Sequence, residues 1–148
     1  MRSSSFEIKD AESFFNQMAK PQYESFLAEN SSTRHALLST ILFYHLYEWM
    51  HPKETFTVDR FTNRYPDYSN LSELFEMARH ITNGLKHFEV KPTTTRKQSG
   101  FSSGFSNGFR RPLIIISSVG IEISADEFLE QMLNFWDAQI KLISMEKA

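Results

Sequence analysis

Three polar residues near the middle of the chain have types and a spacing that a helix could turn to chemistry: Arg79, Asn83 and His87. At about 100° per residue, positions four apart stack along one helix edge, so the trio climbs that edge over two turns. An arginine there can hold a phosphate with two parallel N–H donors. An asparagine can orient it, and a histidine can exchange a proton near neutral pH. Glu76 and His80 lie on the same polar side. The surrounding charge is lopsided. Between Arg79 and Arg111 stand seven cations (Arg79, Lys86, Lys91, Arg96, Lys97, Arg110, Arg111) against one anion, Glu89, a balance of +6. The rest of the chain holds nine cations and seventeen anions, a balance of −8. Lys86, Arg96, Lys97, Arg110 and Arg111 are therefore the candidate nucleic-acid-binding residues, and Phe101, Phe105 and Phe109 between them could stack on unpaired bases. Plainer readings fit the same residues: the solvated face of an amphipathic helix, and a polar loop whose charge neutralises acidic helix faces.

Other chemistry is thin. The chain has no cysteine, which removes disulfides, thiolate metal sites and cysteine nucleophiles. Five histidines stand at 35, 45, 51, 80 and 87, but neither His45 with Glu48 nor His80 with His87 is the Glu-x-x-His pair of di-iron bundles, and no His-x3-His pair occurs. His45 falls within an apolar stripe, where a hydrogen-bonded core histidine is the commoner reason. Neither a metal nor a cofactor is expected. No phosphate-binding P-loop, nucleophile elbow or strand-linked Gly-x-Gly-x-x-Gly occurs. A net charge of −2 excludes a uniformly basic nucleic-acid binder.

Positioning the trio requires a helix from about residue 71 to between His87 and Val90. Its apolar face is Leu71, Leu74, Phe75, Ala78, Thr82 and Leu85, with Asn70 as N-cap, Glu73 three residues on and Pro92 beyond the end. An earlier run, Phe14, Phe15, Met18, Tyr23, Phe26 and Leu27, is helical with Pro21 inside it, which predicts a kink or a break near Lys20. The stripe Leu37, Leu38, Ile41, Leu42, Leu46, Trp49 and Met50 predicts a helix from Ser32 to His51, capped by Ser31 or Ser32 and ended by Pro52. Residues 53–69 lose the period and read as a connection with at most a short helical piece. Residues 91–111, with Gly-Phe pairs at 100/101, 104/105 and 108/109, read as a long flexible loop. Leu113–Ile116 and Ile121–Ile123 read as a β-hairpin. Ser124 and Glu127 form a capping box for a last helix faced by Phe128, Leu129, Met132, Leu133, Trp136, Ile140 and Ile143. The sum is one mainly α domain, a four-helix bundle with a β-hairpin inserted before the last helix. On the second helix Phe43, Tyr44, Tyr47 and Trp49 exceed what one stripe can bury, which points to a homodimer.

The segment RHITNGLKHF (residues 79–88), the SGFSSGF loop, the hairpin and the closing EFLEQMLNFWDAQI together resemble a group of uncharacterised bacterial and phage-associated helical proteins with an Arg-x3-Asn-x2-Lys-His-Phe signature. This resemblance covers residues 35–140. The architecture and the residues around Arg79 are also similar to the wider HEPN superfamily, small helical bundles with an Arg-x4-His motif on a polar helix end. That second resemblance implies a metal-independent ribonuclease acting as a dimer, with arginine and histidine from two subunits converging on an RNA phosphate. The chain departs from the motif: the Arg-x4-His spacing from Arg79 lands on Gly84, so Arg79, Asn83 and His87 are stand-ins for the catalytic set.

Acidic residues follow the first few positions before any apolar run of signal-peptide length, and no stretch of about 18 apolar residues occurs. A cytoplasmic protein that does not enter a membrane is the expectation. Two functional readings stand: a HEPN-like nucleic-acid-associated module, directed to RNA and a ribonuclease if it cleaves, or a non-enzymatic dimeric interaction module with a basic tether.

Overall fold

A computed structural model of the protein describes residues 6–86, 94–97, 113–116 and 122–147. The chain is mainly helical, with an antiparallel β-hairpin before the last helix.

The first helix, α1 (Ala11–Phe14), starts at a reciprocal cap: the Asp10 carboxylate accepts from the Ser13 N–H at 2.8 Å and the Ser13 hydroxyl accepts from the Asp10 N–H at 3.1 Å. The predicted irregularity near Lys20 takes the form of a change of helix type and not of a gap in the helix. A π-helical turn (Phe15–Ala19) leads directly into α2 (Lys20–Ala28), with the Lys20 N–H reaching back five residues to the Phe15 carbonyl. That wider register lets the helix pass the residue that has no N–H to give. Next, α3 (Thr33–Met50) begins where the sequence places it, its Ser32 cap accepting from the His35 N–H at 3.2 Å.

Residues 53–69 contain more structure than the lost period suggests. Thr57 caps α4 (Val58–Arg64), and Pro66 opens a 3-10 helix (Pro66–Leu71) that runs into α5 (Ser72–Lys86). Asn70 therefore lies inside the 3-10 helix and does not cap α5; the preceding turn supplies the acceptor, with the Ser72 N–H bonded to the Ser69 carbonyl. Of the segment read as one flexible loop, Thr94–Lys97 forms β1, which pairs antiparallel with β2 (Leu113–Ile116). On its other side β2 pairs with β3 (Glu122–Ser124), placing Ile115 opposite Ile123. The Gly-Phe repeat lies outside the described residues. The last helix, α6 (Ala125–Lys147), has the Ser124 hydroxyl accepting from the Glu127 N–H at 3.1 Å.

The core forms around α3, which packs on α1, α2, α5 and α6. The Trp136 indole N–H crosses from α6 to donate to the Phe43 carbonyl at 2.9 Å, and both residues are buried. Beside it an aromatic cluster joins α4, the 3-10 helix, α5 and α6. Phe135 stands with its ring centroid 4.9 Å from Tyr65, Tyr68 and Trp136 and 5.5 Å from Phe61 and Phe75. No described helix is long and apolar enough to cross a membrane.

Phe135→Ala empties the centre of that cluster and is expected to cost about 3–5 kcal/mol of unfolding free energy, read as a lower urea midpoint. Leu142→Ala, at a side chain 54% exposed on the same helix, is expected to stay within about 0.5 kcal/mol of the parent chain.

Candidate functional site

The helix α5 is divided lengthwise. Leu74, Phe75, Met77, Ala78, Ile81 and Thr82 are buried, whereas Glu76, Arg79, His80 and Asn83 are only partly covered. The buried side is wider than the predicted stripe because α3 and β2 both lie against it: Ala36, Leu37 and Thr40 of α3, Ile81 of α5, and Leu113 and Ile115 of β2 line one small apolar gap. Thr82 fills a place on this face with its hydroxyl buried and without a hydrogen-bond partner among the described residues.

On the polar edge one carboxylate organises two cationic or protonatable neighbours. Glu76 accepts from Arg79 Nε at 3.1 Å and from Arg79 Nη2 at 2.6 Å, and its Oε1 lies 3.1 Å from His80 Nε2. These are the i,i+3 and i,i+4 neighbours of one helix face. The bond to the Arg79 guanidinium holds the Glu76 carboxyl below its ordinary value, and the same bond raises Arg79 further. Burial lowers His80, with Glu76 pulling the other way and Arg79 reinforcing the shift. His80 is therefore mostly neutral near pH 7. Its contact with Glu76 is then an Nε2–H donated to a carboxylate, which leaves Nδ1 as a proton acceptor. From α3 the phenol of Tyr44 feels both the Arg79 and Glu76 charges, and burial raises it.

The arrangement has definite chemical capacity. Arg79 spends two of its five N–H donors on Glu76, and among the described residues the other three have no partner. Beside it stands a neutral imidazole oriented by a carboxylate, which can accept a proton. Of the residues expected from the sequence, Arg79 and Asn83 share this edge one turn apart, and Lys86 is the last described residue of α5. In β1, Arg96 is paired opposite Ile114 and Lys97 opposite Leu113. His87, Arg110 and Arg111 lie outside the described residues. Among the described residues the imidazole beside Arg79 is that of His80, which the i,i+4, i+8 reading passed over although Glu76 stands three and four residues before the pair. Tyr44 comes from another helix, and no local spacing pointed to it.

Other expectations change. His45 is not in the core: its side chain is 32% exposed and its Nδ1 lies 3.6 Å from Glu48 Oε1. The aromatic surplus of α3 is covered within the chain, since Phe43, Tyr44 and Tyr47 are buried and Trp49 stacks on Phe14 at 5.3 Å. That stripe gives no argument for a second copy. Among the described residues no three or more carboxylates and histidines cluster at metal-binding distance. No protein-family model, curated protein or solved structure matches the chain.

Because folding makes His80 harder to protonate, its contribution to stability is full above about pH 6.5, the unfolded value, and is lost as pH falls through the folded midpoint. An NMR titration is expected to place the His80 midpoint below 6.5. Glu76→Gln removes the opposing carboxylate and is expected to lower that midpoint further; an unchanged midpoint would contradict the contact.

Proposed function

We propose that the chain is a four-helix, HEPN-like RNA-binding module in which the Glu76–Arg79–His80 edge of α5 contacts phosphate and the basic residues that follow it extend the contact. The observation that supports this most is the pairing of β1 with β2. Arg96 and Lys97 belong to a strand tied to the sheet whose Leu113 and Ile115 meet Ile81 of α5, two residues beyond Arg79. Two parts of the basic stretch are thereby held to one body in place of hanging from a free tether. Such an arrangement suits a polymer with a charge at each step better than a single small anion.

In this reading Glu76 keeps Arg79 extended in one rotamer and offsets its charge until phosphate competes for the free N–H donors. Asn83, one turn on, supplies an amide to the next phosphate or to a sugar hydroxyl. Where cleavage accompanies binding, His80 or His87 removes the proton from a ribose 2′-hydroxyl as it attacks the adjacent phosphate; the P–O5′ bond breaks to leave a 2′,3′-cyclic phosphate, the departing 5′-oxygen takes a proton from water, and Arg79 neutralises the charge that develops.

Labelled single-stranded RNA titrated at two salt concentrations tests the proposal. Binding should strengthen as salt falls, and Arg79→Gln should weaken it and reduce the dependence of log K on log salt by about one. Absence of binding at low salt, or an Arg79→Gln variant that binds as the parent does, refutes it. Gel analysis of the same mixtures separates binding alone from binding with cleavage.

A further inference from the structure

A second polar centre lies in the turn from α3 to α4. His51 follows the last residue of α3, and its Nε2 lies 2.6 Å from the Tyr65 hydroxyl, which closes the far end of α4. Burial lowers His51 and pushes Tyr65 up to about 12, so this pair is a neutral imidazole and an intact phenol. Beside it the Tyr47 hydroxyl donates to Glu54 Oε2 at 3.4 Å, and Arg64 closes an ion pair on Glu54 Oε1. These bonds fix the wall of an open depression of about 610 Å³ lined by Lys53, Glu54, Arg60, Asn63 and Arg64.

Three cations and one carboxylate line the space, so its formal balance is +2. Arg60 is anchored through one donor, Nη1, on the Thr55 carbonyl at 2.9 Å, and its other four N–H groups have no partner among the described residues. Arg60, Asn63 and Arg64 stand three and four residues apart on α4 and so share one face. Among the described residues the Lys53 ammonium has no hydrogen bond or ion pair. We propose that this depression binds a phosphate dianion, free or as the monoester end of a small molecule. The charge matches: a monoester carries about −1.5 to −2 at neutral pH, whereas a backbone phosphodiester carries a single charge. The space falls within the roughly 300–1,000 Å³ of small-ligand sites and leaves room for more than the phosphate. Glu54 competes for Arg64 at the place where a ligand oxygen would sit, so the carboxylate sets the affinity and is displaced or reoriented on binding. No residue here belongs to α5, and the site stands or falls apart from the RNA reading.

The test is a backbone-amide NMR titration of the full chain with inorganic phosphate, ribose 5-phosphate and dimethyl phosphate. Saturable shifts should be confined to residues 51–65 with the first two, and dimethyl phosphate should bind at least about tenfold more weakly. Tighter binding of ribose 5-phosphate assigns the site to a monoester, and equal binding assigns it to free phosphate. Lys53→Gln and Arg60→Gln should each weaken binding about tenfold, the loss of one charged hydrogen bond, and Glu54→Gln should tighten it severalfold. Lys53→Gln breaks no described contact and keeps the comparison valid if another variant fails to fold. Shifts spread over all basic residues, no saturation at millimolar concentrations, or weaker binding by Glu54→Gln would overturn the proposal.

Discussion

The elements that carry the α5 polar edge and the α3–α4 depression are tied together by the packing of Phe135 among five other rings. Phe61, Tyr68, Phe75 and Trp136 come from α4, the 3-10 helix, α5 and α6, Tyr65 joins the first two, and each lies within 5.5 Å of the Phe135 ring centre. Large flat side chains bury much area for little rotamer entropy, so one such residue can tie several short elements that would not hold alone. α4 has seven residues and is too short to persist without partners. Its Phe61 is fully buried in this cluster, and that burial keeps Arg60 and Arg64 together at the surface.

The same packing sets the orientation of α5. Phe75 meets Phe61, Phe135 and Trp136, and this contact turns Glu76, Arg79 and His80 to the outside. Once they are there, ordinary helix spacing brings one carboxylate to two partners. Partial burial does the rest, because a half-covered carboxylate and guanidinium interact more strongly than an exposed pair and a half-covered imidazole resists protonation. The cluster is thus a neutralised group with spare donors, suited to an anion that can compete with Glu76.

Both basic places sit on a chain of net charge −2. An acidic body discourages indiscriminate attraction of polyanions and leaves binding to the points where cations gather. The α5 edge and the α3–α4 turn differ in what they offer. The first is continuous with a basic stretch of chain, and the second is an open depression with a balance of +2.

Long amphipathic segments were legible in the sequence because a buried face repeats with the helical period: α3, most of α5 and α6 appear where the apolar stripes fall, and the Ser32 and Ser124 caps are in place. So was the hairpin, from its two β-branched runs. Short elements were not, since α4 and the 3-10 helix are held by ring contacts from distant parts of the chain and leave almost no periodic trace. Of the site, spacing alone placed Arg79 and Asn83 on one edge and could have paired Glu76 with Arg79 and His80. Tertiary structure alone decided that Tyr44 stands beside them and that His51 meets Tyr65. It also decided that Lys53, Arg60 and Arg64 surround one space, because each of these depends on how helices cross, and a crossing is set by the shapes that fill the core between them.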